Sequence, residues 1–156
     1  MALTAQQWMD AYGESHRHPV NKLIHWIAVP TIFTTVVGLL WSIPVPEMMS
    51  QVPWLNWATI AMVLAVLWYV RLSPSLAVGM ALFTAADIAL VAWYDSLNHL
   101  PVWQMSLILF VVMWVLQFIG HAIEGKRPSF FKDVQFLLIG PAWLMHFLYR
   151  KAGIPI

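Results

Sequence analysis

Residues 102–120 read VWQMSLILFVVMWVLQFIG, an unbroken apolar stretch without a charged side chain. At about 1.5 Å of rise per residue, a helix of this length covers roughly 28 Å, close to the ~30 Å hydrocarbon thickness of a bilayer. Apolar helices buried inside soluble domains are usually shorter, at about 10–14 residues. The stretch therefore predicts a transmembrane helix.

Similar apolar stretches fill most of the remaining chain. They are residues 23–43, 51–70, 74–94 and, after 102–120, the shorter 134–149. Pro30 predicts a kink in the first of them. Gly140 and Pro141 interrupt the last, which either spans thinly or enters the bilayer and returns on the same side.

The composition supports a membrane protein, because 61% of the residues are apolar and only 10% are charged. We predict an all-α fold: an integral membrane helical bundle with about four to five transmembrane helices, forming a single membrane domain over residues 1–156. A net charge of +1 gives no field that would attract nucleic acid, and the absence of cysteine excludes thiolate metal ligands.

A short helix at the membrane interface is predicted before the first span. Thr4 and Gln7 have the spacing of a capping box, and Trp8, Met9 and Tyr12 then share one helical face. Such a face suits an anchor that lies in the interface rather than a span.

The basic residues predict the orientation of the bundle. Most of them fall on the side where the first span begins, namely Arg17, Lys22, Arg71, Lys126, Arg127 and Lys132. Arg150 and Lys151 fall opposite if the last stretch spans. Because cytoplasmic loops are enriched in Lys and Arg, we predict a cytoplasmic N-terminus, in a bacterial inner membrane or, for a eukaryotic source, the endoplasmic reticulum.

The alternation of spans brings histidines from distant segments to that same side: His16, His18, His25 and His121. Glu124 lies three positions after His121, so both project from nearly the same helical face, and Gln117 lies one turn earlier. Imidazole near lipid is costly unless paired, and neutral imidazoles bind iron, zinc or copper well. We predict a metal site here. The alternative is that each histidine is a hydrogen-bonded residue at a helix end.

Two known types of metal site do not fit. The six histidines lack the closely spaced boxes of the di-iron membrane desaturases, and no His-Glu-x-x-His helix of a zinc protease is present. Asp87 is interpreted as structural, accepting hydrogen bonds from Gln104, Ser106 or an indole, with a proton path as the alternative.

Two separated polar motifs resemble the family of the yeast 2-hydroxy fatty acid dioxygenase, small membrane proteins long described as a domain of unknown function. The first motif comprises Tyr12, His16, Asn21, His25 and Pro30, and the second Gln117, Gly120, His121, Glu124, Pro128 and Gly140-Pro141. The similarity extends over nearly the whole chain.

The resemblance implies a dioxygenase that uses Fe²⁺ and molecular oxygen to shorten a 2-hydroxy fatty acid by one carbon, in fatty-acid α-oxidation. It implies His16, His25 and His121 as iron ligands, with His18 beside them as a fourth candidate. Membrane lipid and the fatty acid are the expected partners.

Further residues receive roles beside the metal. Glu124 is expected to take a proton or orient a ligand imidazole, with Asn21 and Gln117 as supporting donors. The substrate carboxylate would be attracted by Arg17, Lys22, Lys126 and Arg127, which are equally well interpreted as topology signals. The alternative function is a non-enzymatic carrier or assembly factor whose histidines bind protons or haem.

Overall fold

The computed structural model describes residues 3–129 and 135–156, and this part of the chain contains seven helices and no β-strand. The helices are α1 (Ala5–Gly13), α2 (Pro19–Trp41), α3 (Glu47–Ser50), α4 (Trp57–Leu72), α5 (Pro74–Ser96), α6 (Val102–Glu124) and α7 (Phe136–Ala152). Lys132 and the predicted start of the last stretch at residue 134 lie outside the described residues.

Three helices, α2, α5 and α6, are long and apolar enough to cross a membrane, and α4 is a shorter apolar helix. This confirms the predicted all-α membrane bundle. The second stretch was predicted to be helical from residue 51, but α4 begins at Trp57 because the Asn56 side chain caps it, accepting the N–H of Thr59 at 3.0 Å.

The helices α2 and α6 run antiparallel and touch near both ends. A Cβ placed on Gly38 would overlap the Ser106 hydroxyl, and a Cβ placed on Gly120 would overlap the side-chain oxygen of Asn21. Small residues let two membrane helices approach this closely, which increases their van der Waals contact.

The helix α5 packs beside α2 and forms a hairpin with α4 around Ser73, which ends α4 and caps α5. The Thr34 hydroxyl of α2 donates to the Asp87 carboxylate, and the Trp41 indole N–H donates to Asp95 at 3.1 Å. Asp87 thus accepts a hydrogen bond across the bundle, as a structural role requires, but the donor is Thr34 and not the predicted Gln104, Ser106 or indole.

The capping box of α1 is present, with Thr4 and Gln7 exchanging hydrogen bonds of 2.8 and 3.3 Å. The apolar face of α1 contacts α7. The Trp8 ring lies edge-on to Phe136 at 5.1 Å, and the Tyr12 ring lies 5.5 Å from Trp143. This face is therefore covered by protein.

Both ends of α7 meet the same end of the bundle. Phe136, in its first turn, contacts α1, whereas the Tyr149 hydroxyl donates to the carbonyl of Ser75 at 2.9 Å and accepts from the N–H of Gly79 at 3.0 Å. The start of α5 and the α1–α2 connection lie at the end where α2 begins. The single helix α7 therefore stays at this end of the bundle, which argues against the alternative in which the last stretch spans.

Candidate metal centre

Three buried histidines from separate elements meet at the end of the bundle where α2 begins. His16 lies between α1 and α2, His25 in the second turn of α2, and His121 in the last turn of α6. The His16 ring lies 4.2 Å from that of His25 and 4.9 Å from that of His121, measured between centroids, and His25 and His121 are 4.9 Å apart.

Two of these rings are oriented by backbone carbonyls one helical turn earlier. Nδ1 of His16 lies 2.6 Å from the carbonyl oxygen of Tyr12, and Nδ1 of His25 lies 2.9 Å from that of Asn21. A carbonyl oxygen can only accept, so each Nδ1 carries the hydrogen and each Nε2 keeps its lone pair. Metal-binding histidines in proteins are commonly fixed in this way.

The remaining nitrogens fit a metal ion. Among the described residues, Nε2 of His16, Nε2 of His25 and Nδ1 of His121 are buried without a hydrogen-bond partner. One nitrogen from each ring lies within 4.8 Å of those from the other two. Buried polar atoms are rarely left unpaired, so three in one place fit a common partner, and the triad could hold a metal through nitrogen alone.

Burial keeps the His16 imidazole neutral. Burial, together with the nearby ring of His25, lowers the pKa of His16 to about 3. The Tyr12 ring stacks on the His16 ring at 4.1 Å with an interplanar angle of 10°, and burial raises the pKa of its phenol. At neutral pH His16 therefore offers a lone pair, and Tyr12 remains protonated.

Glu124 joins the loop that carries His16 to α6. Its carboxylate accepts the backbone N–H of Arg17 at 3.0 and 3.1 Å, that of His18 at 2.7 Å and the Asn21 amide at 3.3 Å. The carboxylate thus fixes two histidine-bearing elements relative to each other. Its proposed part in proton transfer stays a prediction.

Asn21 connects the same elements from within α2. Its side-chain N–H₂ donates to the backbone carbonyl of Ser15 at 3.0 Å and to the Glu124 carboxylate. Its backbone carbonyl accepts the hydrogen bond from Nδ1 of His25. Its side-chain oxygen packs against Gly120. Both Asn21 and Glu124 therefore contact protein groups around the triad.

The structure does not bring His18 to the triad. His18 is exposed, and its Nδ1 accepts the N–H of Val20 at 3.2 Å, so the ring caps the start of α2 ahead of Pro19. Its predicted role as a fourth ligand finds no support in this geometry, because the ring nitrogen faces the backbone.

The four basic residues predicted to attract a carboxylate are all exposed at the same end of the bundle: Arg17, Lys22, Lys126 and Arg127. The Lys126 ammonium donates to the carbonyl of Glu14 at 2.8 Å. Their exposure places them at the surface rather than in the buried site.

A cavity of about 730 Å³ opens from the triad into the bundle. Gln117, buried one turn before His121 as predicted, lines its polar end together with Tyr12 and Ser129. The rest of the lining is almost entirely apolar and comes from α2, α4, α6 and α7. Its volume lies in the range of pockets that hold one small ligand.

Two features of the site were missed by the sequence analysis. The first is the stacking of the Tyr12 ring on the His16 ring, which depends on how the chain turns after α1 ends at Gly13 and so has no periodic signal in the sequence. The hydrogen bond of 2.7 Å between the hydroxyls of Ser15 and Ser129 joins residues 114 positions apart and leaves no local signal.

Comparisons with known proteins agree with the resemblance in the sequence. A family model described as "2-hydroxy-palmitic acid dioxygenase Mpo1-like" matches residues 2–152. The 2-hydroxy-palmitic acid dioxygenase MPO1 of Saccharomyces cerevisiae is 27% identical in an alignment that covers 98% of this chain and 84% of the yeast protein. No solved structure matches the chain.

Proposed function

The chain belongs to the Mpo1-like family, and from this membership we propose that it is an iron(II)-dependent dioxygenase of 2-hydroxy fatty acids that shortens them by one carbon, as in fatty-acid α-oxidation. The reaction balances with a single co-substrate: the hydroxy acid and dioxygen give the shortened acid, carbon dioxide and water. No second organic reductant is required.

The observation that carries the proposal is the set of three unpaired imidazole nitrogens at the end of an apolar cavity. His16, His25 and His121 would hold the metal and leave coordination positions free for a hydroxyl, a carboxylate and oxygen. Ferrous iron, when bound, would supply the redox chemistry that lets dioxygen react with an organic acid. Zinc and copper also accept imidazole, so the choice of iron rests on the family.

The protein groups around the triad position and shield the reactants. Gln117 lies where its amide can donate to a carboxylate or hydroxyl beside His121, and the protonated phenol of Tyr12 lies over His16. Asn21 and Glu124 hold the histidine-bearing elements together. The apolar lining keeps water from the reacting end and takes the acyl tail.

The arrangement of charge supports a site at the cytoplasmic side. Because both ends of α7 lie at the end where α2 begins, Arg150 and Lys151 join the exposed arginines and lysines there. An excess of these residues marks the cytoplasmic face, and the same charges would attract a fatty-acid carboxylate at the membrane surface. We treat residues 1–156 as one domain that takes its substrate from the bilayer.

Metal analysis tests the proposal directly. Protein purified in mild detergent and loaded anaerobically with ferrous iron should bind about one metal ion per chain, as expected for three converging imidazoles. It should also convert 2-hydroxypalmitic acid to the acid one carbon shorter when oxygen is admitted. His121→Ala should lose both properties. His99→Ala, which changes an exposed histidine at the other end of the bundle, is the control. A wild-type protein that binds no iron would overturn the proposal.

A further inference from the structure

The cavity follows one face of α2 away from the histidines. His25, Val29, Phe33, Val36 and Leu40 all line it. These positions repeat at helical spacing and extend over 15 residues, which at about 1.5 Å per residue is roughly 22 Å. One leaflet of a bilayer is about 15 Å of hydrocarbon, half of the ~30 Å core, so the cavity is longer than a leaflet.

The polar groups lie at one end of this cavity. Tyr12, Gln117 and the three histidines surround the end at the start of α2, whereas side chains farther along α2 and α4 are apolar. A ligand that matches this distribution has a compact polar head and a long unbranched apolar tail. A short-chain acid would leave most of the lining without contact.

The far end of the cavity borders a cluster of packed side chains. Leu40 and Ala61 line the cavity there and pack against a buried apolar cluster. The cluster consists of Phe33, Val37, Ala58, Met62, Val91 and Val102. Val37 and Ala58 of this cluster are fully buried, and Leu40 and Ala61 pack against the cluster, so we take these side chains as the floor of the cavity.

The side of the cavity is open toward lipid. Leu64 of α4 is 61% exposed and Val36 of α2 is 37% exposed, although both line the cavity. Phe110 and Trp114 of α6 line it from the other side. A tail can therefore enter laterally from the bilayer, and a tail that lies along α2 ends where it meets the floor.

Building on the proposed function, we propose that Ala61 and Leu40 set the longest acyl chain that this cavity accepts. A tail that ends at the floor buries its whole length. A longer tail must bend out through the lateral opening, and each methylene that fails to fit changes discrimination by about ten-fold or more.

A second alanine on α4, Ala65, allows the effect of a larger side chain to be compared at two depths of the cavity. Ala65 lines the same cavity one helical turn, about 6 Å, from Ala61. Ala65 belongs to the cluster that contains Tyr12 and Phe136, at the histidine end, whereas Ala61 packs against the cluster at the floor. Enlarging Ala65 should therefore shorten the cavity more than enlarging Ala61.

The test uses iron-loaded full-length protein with the 2-hydroxy derivatives of lauric, myristic, palmitic and stearic acids. Turnover is measured by mass spectrometry of the shortened product. Binding is measured without iron or oxygen by the change in tryptophan fluorescence, since Trp68 and Trp114 line the cavity. Ala61→Leu should lower kcat/KM and affinity for the longest acids by about ten-fold while leaving the shortest unchanged. Ala65→Leu should move the preference further toward short acids, and Leu40→Ala toward long ones.

Ala85→Leu, on an exposed face of α5, makes the same change away from the cavity and should leave the preference unchanged. Retained turnover of the laurate derivative shows that each variant is folded. An unchanged order of preference in all three cavity variants of an active enzyme would overturn the chain-length proposal alone. A wild-type protein that neither binds nor converts any of the acids would overturn it together with the proposed function.

Discussion

Glu124 accepts the backbone N–H of His18 at 2.7 Å, and this contact ties the last turn of α6 to the start of α2. The carboxylate sits beside the triad, yet its hydrogen bonds go to backbone and to Asn21. Glu124 therefore positions the chain segments that carry the histidines, through its hydrogen bonds to their backbone and to Asn21.

Glu124→Gln should therefore weaken metal binding. The amide offers one accepting oxygen where the carboxylate offers two, and its N–H₂ would face backbone donors. Loss of such a supporting contact typically lowers metal affinity by about 10–100-fold. Competition with a chelator measures the affinity, and Glu47→Gln, exposed near the other end, is the control. Unchanged affinity with a lower kcat at saturating iron would instead support the predicted role in proton transfer.

Replacing individual histidines should separate ligands from neighbours. His16→Ala should abolish iron binding, since it removes one of three converging nitrogens. His18→Ala should keep full iron, because its ring caps α2 and points at the Val20 N–H. Iron per chain, measured by elemental analysis, distinguishes the two variants. Iron lost equally from both would restore His18 as a ligand.

Gly120→Ala should disrupt the site without changing any ligand. The added Cβ would overlap the side-chain oxygen of Asn21 and push α2 away from α6. Overpacking costs about 1–3 kcal/mol, against about 1 kcal/mol gained in helix propensity. We expect a lower free energy of unfolding and reduced iron binding. Gly13→Ala is the matched control, because its nearest neighbour, the Trp143 indole nitrogen, would lie at 3.7 Å. Equal stability of both variants would contradict the close packing.

Thr34→Val should destabilise the bundle and leave iron binding intact. It removes the hydrogen bond to Asp87 that joins α2 to α5. Interhelical hydrogen bonds in membranes contribute about 0.6 kcal/mol on average and up to about 1.7. Unfolding in denaturing detergent measures the change. Thr31→Val is the control, since that hydroxyl donates within its own helix.

An Asp87→Asn variant that folds and binds iron but loses turnover would support a proton path.

The helices could be predicted from the sequence wherever apolar residues run without interruption. Residues 102–120 lie within α6, and the chain from 74 to 94 lies within α5. The predicted helix boundaries were wrong where a capping residue lies inside an apolar stretch. Asn56 is one example, because its side chain caps α4 and the helix begins after it rather than at residue 51. The four-residue α3 was not predicted, because Pro44, Pro46 and Pro53 around it indicate a loop.

The sequence was enough to predict at which end of the bundle each histidine lies. The alternation of spans placed four histidines together, but capping by His18 depends on the turn before Pro19. The partner of Asp87 depends on how far α5 is rotated about its axis, a property that hydropathy does not encode. The position of α7 at one end of the bundle rests on contacts of Tyr149 with residues of α5 that lie 70 and 74 positions away in the chain.

The hydrogen bonds between the Glu124 carboxylate and the backbone of Arg17 and His18 can form only late in synthesis. Arg17 and Glu124 are 107 positions apart, so the loop that bears His16 cannot be fixed until α6 has emerged from the ribosome and entered the membrane. Metal affinity develops together with folding when the ligands come from distant segments. A nascent or truncated chain that lacks α6 would thus lack the assembled histidine triad, and a metal could be bound there only after α6 has joined the bundle.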